Sequence, residues 1–136
     1  MFNFLKNIFS KPKRVFPGII AVKVVNIEKH PNADRLRIVK VNDGNKIIEP
    51  IVCGASNFSE GDLVALALPG AKIAQNIHSD SHEPFILEKA KIRGVESQGM
   101  ICAAFELGLS KEPGNGIMLL KSNVTEGSQF TPEMIK

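Results

Sequence analysis

The chain has no tryptophan and no tyrosine, so eight phenylalanines and three histidines are its only ring-bearing side chains other than proline. Any base stacking would have to use Phe, His or Arg, so extensive recognition of single-stranded nucleic acid by aromatics is disfavoured. Cysteine is scarce as well: Cys53 and Cys102 lie 49 positions apart, with no CxxC pair and no histidine at ligand spacing to either. That count excludes a structural zinc site and reads as two small buried apolar residues in a reducing, cytoplasmic setting. The longest nearly unbroken apolar run is Leu63 to Leu68, far short of the ~20 residues of a membrane-spanning helix, so no membrane span is expected. The common catalytic signatures are missing too: there is no GxSxG elbow, no HExxH, no Walker A sequence and no GxGxxG. His78 and His82 stand four apart near Asp80 and Glu83, which is metal spacing on a helix. The segment NIHSDSHEP is a poor helical pattern ending in proline, however, and reads as a solvated loop. Neither catalysis, a metal nor a cofactor is expected.

What is present fits one compact domain. A chain of 136 residues with 43% hydrophobic residues can build a core unaided and is too apolar to be a disordered tail. The net charge of +3 needs to be located before it is interpreted. Residues 1–18 carry Lys6, Lys11, Lys13 and Arg14 with no acid, whereas the other 118 residues hold 13 basic and 14 acidic side chains. The high isoelectric point therefore belongs to the tail, and any anion-binding face on the domain must come from local geometry. Within residues 1–14, Phe2, Leu5 and Phe9 share one side of a short amphipathic stretch that Pro12 ends. A docked helix, a membrane-surface anchor and a partner-binding tail all remain open for it.

From Val15 the pattern changes to short strands and turns. Ile19–Ile27, Leu36–Val41, Ile47–Cys53, Leu63–Leu68, Phe85–Arg93 and Ile117–Leu120 read as strands. Pro50 marks an edge or a bulge, residues 74–84 a loop, and Ala103–Leu107 a short helix stopped at Gly108. This spacing indicates a small closed or partly open barrel, with residues 15–130 forming the domain and 131–136 the end of the chain.

Three local patterns suggest chemistry. On a strand over Phe85–Arg93, Lys89, Lys91 and Arg93 would share one face at about 6 to 7 Å intervals, close to the phosphate repeat of a nucleic-acid strand, with Ala90 and Ile92 turned into the core. The turn His30-Pro31-Asn32-Ala33-Asp34 precedes Arg35 and Arg37 on a common face. Asn32 and Asp34 there either cap their own backbone or help hold His30 and Arg35 toward a phosphate or ribose. The loop Arg93–Met100 brackets Ser97 and Gln98 with glycines, an arrangement suited to close backbone approach and hydrogen bonding; Met100 reads as core filler or as a contact to a base or sugar. Cys53–Asn57 is a similar polar loop.

The ordered series HPNADRLRIVKV (30–41), IVCGASN (51–57), VALALPGAKI (64–73), KAKIRGVESQGMICA (89–103) and ELGLS (106–110) resembles the tRNA-binding domain family. That family includes free-standing tRNA-binding proteins and the N-terminal tRNA-binding domain of bacterial phenylalanyl-tRNA synthetase β subunits, and the synthetase version is the nearest in motif. The resemblance covers about residues 16–130. It implies a mainly β OB-fold, a five-stranded barrel with short helices and extra C-terminal strands, which binds tRNA by shape and backbone contacts without catalysis. Carried onto this sequence, its binding surface involves Asn32, Arg35, Asn57, Lys89, Lys91, Arg93, Ser97 and Met100; His30 and Gln98 join them from the turn and loop patterns above. The implied partners are tRNA, an aminoacyl-tRNA synthetase and, as in many free-standing members, a second copy of the chain. Whether the chain is free-standing or a piece of a larger synthetase stays open. The competing expectation is a protein-interaction or chaperone-like OB module, docking a partner at the barrel edge near Pro50.

Overall fold

The architecture comes from a computed structural model that describes residues 14–114 and 116–136. The amphipathic stretch expected over residues 1–14 thus lies, but for Arg14, outside the described residues. Among the described residues there are ten strands: β1 (Ile19–Lys29), β2 (Arg37–Asn42), β3 (Ile47–Cys53), β4 (Leu63–Ala67), β5 (Lys72–Ile73), β6 (Phe85–Ile86), β7 (Ala90–Ile92), β8 (Val95–Ser97), β9 (Met100–Ile101) and β10 (Leu119–Leu120).

β1 to β3 form an antiparallel meander, and β4 returns to pair with the first half of β1, from Ile19 opposite Ala67 to Lys23 opposite Leu63. A bulge at Val25 lets the long first strand bend from one neighbour to the other. The far edge of β4 is shared, with β10 along Leu63–Val64 and β9 along Leu66–Ala67. The sheet curls until its ends meet: the Gln98 N–H donates to the Pro50 carbonyl at 2.9 Å, and the Val52 N–H to Ser97 Oγ at 2.9 Å. The result is an OB-like barrel. Pro50 sits, as its chemistry requires, on an edge strand and at a register shift, where Val39 faces Ile51 but Val41 faces Ile48.

All five residues of β4 are buried because both its faces are covered. Val64 and Leu66 point into a cluster with Val22, Val39 and Ile51, whereas Leu63, Ala65 and Ala67 join a second one that contains Phe16, Cys102 and Phe130. Phe16 and Phe130 meet edge-to-face at 5.3 Å between ring centres, and the Gln129 side chain donates to the Phe16 carbonyl at 2.7 Å, so the C-terminal segment seals the second cluster.

Three expectations need correction. Phe85–Arg93 is not one strand: its first residues pair with β5, Leu87 still bonds the Gly70 N–H and the Ala71 carbonyl, Glu88 and Lys89 leave the ladder, and β7 begins at Ala90. The stretch Arg93–Met100 is not a loop but the turn of a hairpin, its return strand β8 and the start of β9, because Arg93 and Gly94, at φ 54° and 92°, form the tight left-handed turn that hairpin twist favours. Ala103–Leu107 forms only one 3-10 turn, Phe105–Leu107, ended at Gly108 in the left-handed region.

Candidate nucleic-acid interface

The β1–β2 turn and the tip of the β7–β8 hairpin come together although about sixty residues separate them in sequence. His30 is 2% exposed, at the point of contact. Its Nδ1 accepts the Asn32 backbone N–H at 3.0 Å, so the ring proton resides on Nε2, which donates to the Ile92 carbonyl at 3.0 Å. Two further ties flank it. Asn32 Nδ2 donates to the Arg93 carbonyl at 3.3 Å, and Arg93 Nη2 donates back to the Asn32 carbonyl at 3.2 Å. Between the two elements lies an open concavity of about 410 Å³ lined by Asn32–Leu36 and Arg93. The Asn32 side chain is thus used across the interface, not to cap its own turn, and Asp34 makes no hydrogen bond or ion pair among the described residues.

Arg35, Lys89, Lys91 and Arg93 are all exposed, and among the described residues the ion pairs are Lys23–Glu126 and Lys40–Glu49, which engage none of them. The expected row of three cations on one strand face does not form, however. Lys89 precedes β7, Arg93 occupies the hairpin turn, Ala90 is exposed and Ile92 only half-buried, because the hairpin projects from the barrel. Lys91 faces Glu96 across the hairpin, which moderates the local positive field. What gathers charge is the meeting of two loops, with Arg35 on one and Arg93 on the other.

Several of the sequence-predicted residues spend their side chains on contacts within the fold. Asn57 pairs with the Ile117 backbone like a strand neighbour, donating Nδ2 to its carbonyl at 2.9 Å and accepting its N–H at 3.0 Å. Ser97, 4% exposed, accepts the Val52 N–H and donates to the Gly99 carbonyl at 2.8 Å, so it closes the barrel. Gly99 is needed beside it, since a Cβ there would stand 2.7 Å from the Ala67 carbonyl oxygen. Gln98 folds over Glu96, and Met100 is half-buried against the second core cluster. Arg37 does not share an outer face with Arg35: its guanidinium lies 4.5 Å above the Phe58 ring and donates to the Ala55 and Phe58 carbonyls at 3.0 and 3.2 Å. His30 and Ser97 therefore brace the turn and the hairpin from within and Asn57 ties its own loop to Ile117, while Arg35 and Arg93 line the concavity and Lys89 and Lys91 are exposed on the hairpin side.

Titration is perturbed away from this surface. Burial pushes the thiols of Cys53 and Cys102 up, keeping both protonated and unreactive. Burial likewise raises the Glu106 carboxyl, opposed by its hydrogen bond from the Ala103 N–H at 2.8 Å. Among the described residues no group of three or more His, Cys, Asp or Glu is placed to hold a metal ion, and no helix is long and apolar enough to cross a membrane. Sequence reading missed Phe58 as the platform for Arg37, which has no local signal, and Glu106 as a buried cap, although its place three residues after Ala103, whose N–H it accepts, is the spacing of a capping carboxylate.

Residues 19–129 match the family model described as "Putative tRNA binding domain". The phenylalanine–tRNA ligase beta subunit of Wolinella succinogenes is 45% identical over 115 residues, covering 85% of this chain and 13% of that protein. The Geobacter sulfurreducens beta subunit is 46% identical over 118 residues, covering 85% of this chain and 14% of that protein. The chain thus spans only a small fraction of the length of the curated relatives it matches. Among solved structures, the C-terminal domain of Plasmodium vivax p43 aligns with a TM-score of 0.54 and 25% identity, covering 86% of this chain and 59% of that one. The MetRS-related protein from Pyrococcus horikoshii aligns with a TM-score of 0.57 and covers 95% of this chain and 94% of that one; at 18% identity it speaks to the fold alone.

Proposed function

From the premise that the chain belongs to the tRNA-binding domain family, we propose that it is a non-catalytic tRNA-binding module whose contact surface is the joined β1–β2 turn and β7–β8 hairpin tip. The observation that carries this reading is the convergence of Arg35 and Arg93 on one concave surface inside the matched region. Guanidinium groups suit bidentate contact with phosphate oxygens, and a surface poor in stacking rings reads backbone shape rather than bases. Arg35, Lys89, Lys91 and Arg93 contact phosphates. Ser97 and His30 hold the hairpin and the turn that present them, Asn57 ties its own loop to Ile117, and Gln98 and Met100 flank the base of the hairpin. The two buried, unpaired cysteines suit a reducing cytoplasm, and the similarity to ligase beta subunits supports an aminoacyl-tRNA synthetase as the partner in whose service the tRNA is held.

With about four phosphates neutralised, the salt slope is roughly −3, and affinity falls on the order of a hundredfold between 50 and 200 mM salt. The test is a fluorescence-anisotropy titration of the full chain with bulk tRNA, beside a duplex RNA and a single strand of equal charge. Preferential, salt-sensitive tRNA binding supports the reading. Equal binding to all three, or none, refutes it and turns attention to a protein partner. The barrel edge near Pro50, where such a partner would add a strand, is already engaged by Gln98 and Ser97.

A further inference from the structure

We propose that His30 is a positioning residue that docks the β7–β8 hairpin on the β1–β2 turn and so sets the relative placement of Arg35 and Arg93; the proposal rests on the tRNA-binding reading above. The hairpin forms a two-stranded sheet of its own. Such a ribbon has little stability in isolation, so its orientation depends on what anchors it. Its base is fixed where Ser97 accepts the Val52 N–H and Gln98 donates to Pro50. Its tip is held by three hydrogen bonds, two of which, between Asn32 and Arg93, are exposed and compete with water. The third runs from a side chain only 2% exposed, His30 Nε2 to the Ile92 carbonyl.

Histidine suits this position because one rigid ring offers an acceptor to its own turn and a donor to the neighbouring element. Nδ1 shapes the turn that carries Arg35, and Nε2 reaches the residue before Arg93. A phosphate-binding surface built from two loops is only as well organised as the link between them. If the hairpin were docked one-tenth of the time, apparent affinity would fall about tenfold with every cation still present.

The two ring nitrogens can be tested apart by amide substitutions. In His30→Gln the amide nitrogen sits near the place of Nε2 and keeps a donor for Ile92. In His30→Asn the amide oxygen sits near Nδ1, keeping the turn and losing the link. Both variants disturb the same buried site, so urea denaturation should register a loss of stability in each. A residue with a merely structural role would make tRNA affinity follow that loss. The docking role separates the two: in anisotropy titrations with tRNA at fixed salt, His30→Gln stays within about twofold of the unmodified chain, while His30→Asn binds about tenfold more weakly. Equal weakening in both variants, or full affinity in His30→Asn, overturns the proposal. An unmodified chain that shows no preference for tRNA refutes the functional reading itself and takes this proposal with it, a result distinct from failure of the docking role alone. A second measurement needs no variant: the His30 Nε2 proton should give a slowly exchanging NMR resonance with cross-peaks to Ile92 or Arg93, retained in the tRNA complex. A bare Nε2, or one exchanging freely with water, overturns the proposal even if neither variant folds.

Discussion

Arg93 occupies a position that suits its side chain poorly in backbone terms. At φ 54° it is in the left-handed region, and with Gly94 at φ 92° it makes a two-residue turn for which Asn-Gly is the favoured pair. A non-glycine residue held there costs about 1 kcal/mol, and asparagine recovers much of that because its short polar chain tolerates the conformation. Arg93→Asn also removes the exposed hydrogen bond from Nη2 to the Asn32 carbonyl, worth about 0.5 kcal/mol. The backbone tie from Asn32 Nδ2 to the carbonyl of residue 93 survives. Net stability should therefore be unchanged or higher by about 0.5 kcal/mol in urea denaturation. Binding should move the opposite way. One phosphate contact contributes roughly 0.8 to the salt slope, so its loss at 0.1 M salt weakens tRNA about sixfold and flattens the slope from roughly −3 to roughly −2. The assay is anisotropy at four salt concentrations beside the denaturation curves. A variant that loses more than about 1 kcal/mol would show Arg93 to be a structural residue, since that exceeds its one exposed hydrogen bond. An unchanged slope would refute the phosphate contact.

Other outcomes follow from the same geometry. Asn57→Ala leaves the Ile117 N–H and carbonyl without partners and should destabilise the fold by about 2 kcal/mol in chemical denaturation, with no change in the salt slope of tRNA binding. Gly99→Ala drives a methyl against the Ala67 carbonyl between β4 and Ser97, and its melting temperature should drop by several degrees, roughly as expected for 1 to 3 kcal/mol of overpacking. Because burial raises the Glu106 carboxyl, the folded state holds its proton more tightly than the unfolded chain. That contribution to stability is fully present below the unfolded value of about 4.5 and is lost as pH rises through the folded value. Glu106→Gln keeps an acceptor for Ala103 and escapes this loss, so its advantage over the unmodified chain, read from urea curves at pH 4 and pH 7, should grow with pH. A constant or shrinking difference would refute the assignment.

The outline of the barrel was legible in the local pattern of residues. Val, Ile and Leu alternating or running between turn residues place β1 to β4 within a residue or two, because strand period and turn chemistry are local properties. Pro50 announced its edge and bulge since a residue without an N–H has few other places to go. The five ordered motifs carried the family. What the marked residues do depends on contacts between distant segments of the chain. Asn57, Ser97 and His30 look like ligand-binding polar groups in sequence, yet each bonds a backbone group 60, 45 or 62 residues away, and those bonds commit the side chains to the fold. Arg-Gly lacks the Asn-Gly signature of a tight hairpin, so the break of the cationic strand at Arg93 was invisible until β7 and β8 paired. Periodicity reports which face a side chain shares with its neighbours along the chain. Which distant backbone group satisfies a polar atom depends on how the sheet curls, and that choice separated the residues that present the surface from those that hold it in place.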